Sequence, residues 1–240
     1  MNNHLSKTIK NEMFSHHYQL LYNLNDFKPF GVEILFRSSL FSNPQRAFQK
    51  AKELNKLYEL ETTSISKAIT DIHLNSIQGQ IPDHLFINVY PSTLIHDDFV
   101  KTMKNLIEQT SISASNIVFE INEEELITDH YSLHNAASNL KEEGFHIAVD
   151  DFGKGYGSIQ TVIEIEPSYI KMDKFFADEI EYSTHKQEML KSMVTYCEKI
   201  KSNIVLEGIE TPEQFFKARE LGIKLGQGFL LARPCPLEDL

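Results

Sequence analysis

No run of the 240-residue sequence approaches the ~20 consecutive apolar residues needed to span a bilayer. The opening residues MNNHLSKTIKNEMFSHH contain no apolar core of the kind a secretory leader carries. Neither export nor membrane anchoring is expected, and the cytoplasm is the expected location. Cysteine is scarce. Cys197 and Cys235 have no spacing that reads as a disulfide framework or a zinc knuckle, so both are expected to be free thiols in a reducing compartment. Basic residues are outnumbered: 23 Lys and Arg against 34 Asp and Glu leave a formal charge of −11, which argues against binding a nucleic-acid polymer through its phosphates. A small anionic ligand stays possible if metal ions supply the local positive charge. There is no internal repeat, low-complexity segment or linker. Apolar residues make up 41% of the chain, enough for a buried core in one domain spanning 1–240, with 1–15 expected as a flexible or helical N-terminal extension.

Short apolar or alternating runs at 17–24, 30–37, 84–90, 117–121, 146–151, 169–173, 203–207 and 224–230 read as strands. Helical patterns lie between most of them, at 44–74, 97–110, 130–144, 186–202 and 211–222, with Gly144 and Gly222 where helix stops belong. Regular alternation of strand and helix implies a mainly parallel sheet, and about eight strands favour closure into an α/β, TIM-like (β/α)8 barrel. The first two runs are joined by the turn-like NLND, too short for a crossover helix, so that pair is expected to be antiparallel.

Barrels of this kind carry their chemistry at the C-terminal strand ends. There the apolar runs are interrupted by Glu33, Asn88, Glu120, Asp150 with Asp151, Lys171, Glu207 and Gln227. Converging carboxylates cannot all stay ionised without a cation. Hard oxygen donors without a cysteine or histidine triad suit Mg²⁺ or Mn²⁺ better than zinc. Two such ions bridged by a shared Asp would clamp an in-line phosphoryl displacement, so metal-assisted phosphodiester hydrolysis is the expected chemistry.

The segments, in order, resemble the EAL family of cyclic di-GMP phosphodiesterases: EILFR for EALxR, INVYPSTL for the Asn-bearing strand, FEINE for ExTE, DDFGKGYGSI for DDFGTGYSSL, YIKMDKFF for KIDxxF, LEGIET for AEGVET and LGQGFLLARP for QGYxxxxP. The resemblance implies hydrolysis of cyclic di-GMP to linear pGpG by a water held by two Mg²⁺ or Mn²⁺ ions per site. It implies Glu33, Asn88, Glu120 and Asp150 on one ion and Asp150 and Asp151 on the second, with Lys171, Glu207 and Glu33 as catalytic residues. Gln19, Leu35, Arg37, Asp173, Glu210, Gln227 and Pro234 are implied to contact the substrate, and Glu123 to steady the loop after Asp151. The family also implies a homodimer; a protein partner is possible, and regulation is expected from partners, dimerisation or expression, because no sensor, cyclase or output domain fits beside the barrel. The alternative is a catalytically weak receptor or protein-interaction regulator. An unrelated barrel phosphodiesterase acting on glycerol esters would share the chemistry without these motifs.

This chain departs from the family pattern at Ile34 and Asn122, both expected to be tolerated, and at Lys154, Gly157 and Leu206, which are expected to lower turnover or alter dimer coupling without emptying the site. Other features read more plainly. His130 and His134, four apart, are expected to be a polar helix face, and His16 and His17 a strand edge. Glu124 and Glu125 favour a helix N-terminus, and FGKGYG lacks the P-loop pattern.

Overall fold

The apolar runs become β1 (Ser15–Asn23), β2 (Lys28–Arg37), β3 (His84–Val89), β4 (Ile117–Ile121), β5 (His146–Phe152), β6 (Tyr169–Met172), β7 (Asn203–Leu206) and β8 (Leu225–Gly226). The computed structural model describes residues 2–41, 43–76, 82–121, 129–154 and 158–240. In it the strands close into a barrel in chain order. β1 runs antiparallel to both neighbours, β2 and β8, and every pair from β2 to β8 is parallel. The expected eight-stranded α/β barrel with an antiparallel first pair is therefore the fold.

Helices α1 (Asn2–Lys10), α2 (Pro44–Glu53), α3 (Leu57–Ser76), α4 (Pro91–Leu94), α5 (Phe99–Ile107), α6 (His130–Glu142), α7 (Ser158–Ile165), α8 (Thr184–Ile200) and α9 (Pro212–Glu220) accompany the strands. Their starts are written locally. The Asn43 side chain accepts from the Gln45 amide with Pro44 at the first helical position, and Thr211 and Gln214 form a reciprocal capping box around Pro212. The continuous helix expected over 44–74 is instead two helices, broken where Asn55 takes a left-handed φ of 53°. Asparagine tolerates that conformation better than most residues, and its side-chain amide gives no hydrophobic periodicity to betray the break. The helix α7 was not expected, because its eight residues follow a glycine-rich loop. Gly144 and Gly222, at φ 91° and 88°, do follow α6 and α9 as helix stops.

The last strand is shorter than the expected 224–230. Beyond Gly226 the chain leaves the ladder to bond Ile209: the Ile209 amide donates to the Gln227 carbonyl at 3.0 Å and the Leu230 amide to the Ile209 carbonyl at 3.1 Å. A Cβ on Gly228 would lie 2.1 Å from the Ile209 carbonyl oxygen, so this approach needs glycine. Among the described residues no helix is long and apolar enough to cross a membrane.

Candidate active site at the mouth of the barrel

Strand side chains alternate between the barrel interior and the surrounding helices. Inside, one layer is apolar: Leu21, Phe86, Val118, Ala148, Tyr169, Val205 and Leu225 pack together. Two residues toward the mouth along each of these strands stand Gln19, Asn88, Glu120, Asp150, Lys171, Glu207 and Gln227, and Glu33 faces Gln19 across the β1–β2 pair. The period of two thus lifts one polar residue from every strand onto a common floor above a dry plug. By the same parity Ile34 and Leu206 point outward into the helix-facing core, so their extra bulk relative to alanine does not enter the polar layer.

At the centre of the floor is the Lys171 ammonium, fully buried. Its Nζ lies 2.7 Å from Glu120 Oε1, 2.8 Å from Glu207 Oε1, 3.2 Å from Asp150 Oδ1 and 3.5 Å from Glu33 Oε2. Asn88 Nδ2 donates to Glu33 Oε1 and to Glu120 Oε2, both at 3.1 Å, and Gln227 Nε2 donates to Glu33 Oε2 at 2.7 Å. Burial by itself would lower the Lys171 pKa, but the charges of Asp150, Glu120, Glu207 and Glu33 outweigh it and hold the ammonium well above the ordinary lysine value. Burial raises Glu120 well above the usual carboxylate range, opposed by Lys171 and reinforced by Glu33 and Asp150. Glu207 is pushed up to about 8 by burial, again against the pull of Lys171. Its side chain keeps 19% of its surface open, at the rim of the cluster.

The donor set fits a hard divalent cation. Four carboxylates and two amides face one small volume, and the Gln227 Oε1 atom is buried without a hydrogen-bond partner among the described residues. Among the described residues no three carboxylates, imidazoles or thiols stand at coordinating distance from a common point. The reason is visible: the carboxylates are drawn onto the Lys171 ammonium, which neutralises part of the cluster.

The remaining expected residues lie around this floor. Asp151, in left-handed conformation at φ 53°, accepts from Lys154 Nζ at 2.9 Å. Gln19 Nε2 donates to the Ala232 carbonyl at 3.0 Å, tying β1 to the segment that carries Pro234. Arg37 Nη1 donates to the Phe36 carbonyl at 2.9 Å. The Asp173 carboxylate accepts from the Phe175 amide at 2.8 Å and so caps a 3-10 turn, while Glu210 is exposed and Pro234 half-buried. Glu123, with Asn122, Glu124, Glu125 and Gly157, lies outside the described residues.

A cavity of about 160 Å³ adjoins the floor, lined by Leu35, Arg37, Asn88, Glu61 and Tyr90 among others. Glu61, on α3, is buried and accepts from the Tyr90 amide at 3.0 Å. Sequence reasoning missed it, because an acidic residue inside an amphipathic helical pattern gives no signal of burial.

His16, expected at a strand edge, also lines that cavity and is buried, its Nε2 2.9 Å from Ser64 Oγ. Burial, aided by Lys67 and Arg37, lowers its pKa from 6.5 to about 4. Above pH 6.5 the ring is neutral whether the chain is folded or unfolded. Below that value the unfolded chain takes up a proton that the folded chain refuses until about pH 4, so stability falls across that window. His16→Gln is expected to lose its stability deficit by about 2–3 kcal/mol between neutral pH and the lower end of the window, measured by urea unfolding. Parallel pH profiles for the two proteins would refute this. His130 and His134 are joined to α7, with His130 Nδ1 at 2.9 Å from Glu164 Oε2 and His134 Nδ1 at 2.6 Å from the Glu164 carbonyl.

The family model for the EAL domain matches residues 2–234. The cyclic di-GMP phosphodiesterase NbdA of Pseudomonas aeruginosa is 25% identical over 244 residues, covering 100% of this chain and 31% of that protein. The chain thus spans about a third of that relative's length. Among solved structures, a manganese and cyclic di-GMP complex of Klebsiella pneumoniae BlrP1 is 27% identical with a TM-score of 0.83, covering 93% of this chain and 56% of that one. The PaMucR phosphodiesterase in its cyclic di-GMP complex superposes with a TM-score of 0.86 at 24% identity, over 99% of this chain and 98% of that one.

Proposed function

The chain belongs to the EAL domain family, and on that premise we propose that it is a cyclic di-GMP phosphodiesterase that opens its substrate to linear pGpG. The observation that carries the proposal is the convergence of Glu33, Asn88, Glu120, Asp150, Lys171, Glu207 and Gln227 on one floor. Glu33, Asn88, Glu120 and Asp150 would hold one Mg²⁺ or Mn²⁺ ion and Asp150 with Asp151 a second, and such ions supply a more acidic water and neutralise charge developing on the phosphate.

The protein's own groups then have separate tasks. Lys171, kept charged by its four carboxylates, donates through Nζ to orient the attacking water and favour its deprotonated form. Glu207, 2.8 Å from that Nζ at the rim of the cluster, is the base-like residue beside the attacking water. Gln227 fixes the Glu33 carboxylate. Arg37, a forked guanidinium, and Gln19, an amide, are suited to the substrate phosphates. Leu35, Asp173, Glu210 and Pro234 complete the substrate surface. The Glu61 carboxylate, on the wall of the adjoining cavity, is the acceptor that the N1–H and N2–H₂ edge of a guanine requires. We further propose that this barrel domain acts in the cytoplasm as a homodimer.

The test is incubation of the purified protein with cyclic di-GMP and Mg²⁺ or Mn²⁺, following pGpG by chromatography. Metal-dependent pGpG formation supports the proposal. Substrate that binds yet stays intact under both metals would replace it with the receptor alternative.

A further inference from the structure

Asp150 and Asp151 are adjacent carboxylates, and each faces a different lysine. Asp150 meets the buried Lys171, and Asp151 Oδ2 meets Lys154 Nζ at 2.9 Å in a setting where the lysine side chain is 61% and the aspartate 27% exposed. The second pair is built by the turn itself. The Lys154 amide donates to the Asp151 carbonyl at 3.1 Å, closing residues 151–154 into a turn that sets the two side chains three residues apart on one side. Gly153, at φ 100°, seats that turn directly on the Phe176 ring, where a Cβ would come within 2.4 Å of a ring carbon. Phe176 belongs to the core, so the turn is fixed from below and the ammonium is delivered to Asp151 from above.

We infer that Lys154 is a built-in competitor for the divalent cation at Asp151, so that the second ion of this site fills only at a higher metal concentration than the first. This rests on the metal-dependent function proposed above. The Lys154 ammonium already occupies Oδ2 of Asp151 and repels a divalent ion held by the same carboxylate, so the ion either displaces Lys154 or binds beside its charge. The exposed pair that is lost and the screened repulsion between the ammonium and an ion a few Å away each weaken binding by a few-fold. Together these predict a second-ion affinity weakened about three- to tenfold. Lys154 therefore sets the metal threshold of the site without being a ligand or a reacting group.

The test is a titration of the full-length protein with Mn²⁺ alone, counting free ion by electron paramagnetic resonance, in the absence of nucleotide. Wild type, Lys154→Met, Lys154→Arg and Asp151→Asn are compared at low and high ionic strength. Lys154→Met, which keeps the stem and removes the charge, is expected to bind the second ion about three- to tenfold more tightly than wild type. Lys154→Arg should resemble wild type, Asp151→Asn should lose the second ion, and the gain in Lys154→Met should shrink at high salt. Equal second-ion affinities in wild type and Lys154→Met would overturn the inference while leaving the phosphodiesterase proposal standing. A shift in Mn²⁺ affinity in a protein that forms no pGpG in the chromatographic assay would uphold the inference and remove the hydrolytic function; no Mn²⁺ bound by any variant would remove both.

Discussion

Glu33→Ala is expected to lower conversion of cyclic di-GMP to pGpG by at least about 10³-fold, or roughly 4 kcal/mol of transition-state stabilisation. Glu33 is the point at which three polar partners meet: Asn88 at Oε1, Gln227 at Oε2 and Lys171 at 3.5 Å. Losing it removes a proposed ligand and the acceptor that positions the Asn88 and Gln227 amides. The same change should leave the metal-free protein at least as stable as wild type, because it deletes one anion from a cluster holding four carboxylates and one ammonium. Melting curves with and without Mn²⁺ provide a readout independent of turnover: wild type should gain stability from the ion and Glu33→Ala should gain far less. Turnover within tenfold of wild type would refute the placement of Glu33 in the catalytic floor.

Lys171→Met is expected to have the largest effect on stability. The methionine stem fills the same channel, but Glu33, Glu120, Asp150 and Glu207 are left facing one another with no ammonium. Breaking a buried ion pair by removing one partner costs about 3–5 kcal/mol. The deficit also has a pH sign. Glu207 already sits at about 8 and Glu120 well above the carboxylate range despite the pull of Lys171. Without that pull both rise further, so the folded variant binds protons that the unfolded chain has released. A group with a raised folded pKa stabilises fully below its unfolded value and loses that contribution as pH climbs through the folded one. Between the ordinary glutamate pKa of 4.5 and about 8 both proteins lose that contribution alike, so the gap between variant and wild type should widen only from about pH 8 upward, where Glu207 ionises in wild type but not in the variant. Urea midpoints measured on both sides of that value in metal-free buffer check this, and a constant gap would show that Lys171 does not control the ionisation of its neighbours. Turnover should fall with it, since the proposed water-orienting donor is gone.

Most of the barrel was legible because each strand is a short apolar run with a period of two, and from β2 to β8 each candidate site residue is a polar break toward its C-terminal end. FINV places Asn88 two residues after Phe86, and IKM places Lys171 two after Tyr169, with no need of coordinates to know that they share a face. The antiparallel first pair was legible for a similar reason: four turn residues cannot carry a crossover. What was illegible depended on contacts between distant segments. The early end of β8 at Gly226 comes from backbone packing against Ile209, which no local pattern encodes.

The sequence by itself determined the fold class, the strand order and the chemical type of the site, because side-chain alternation and charge are local properties of the chain. Tertiary structure alone decided the state of the charges. That Lys171 is enclosed by four carboxylates and that His16 and Glu61 are buried beside the same cavity both follow from closure of the barrel. Closure brings residues far apart in the chain within 4 Å and removes water from between them. Burial and Coulomb interaction, which set each group's ionisation, depend on those distances and on the excluded water, and neither exists until the eight strands meet.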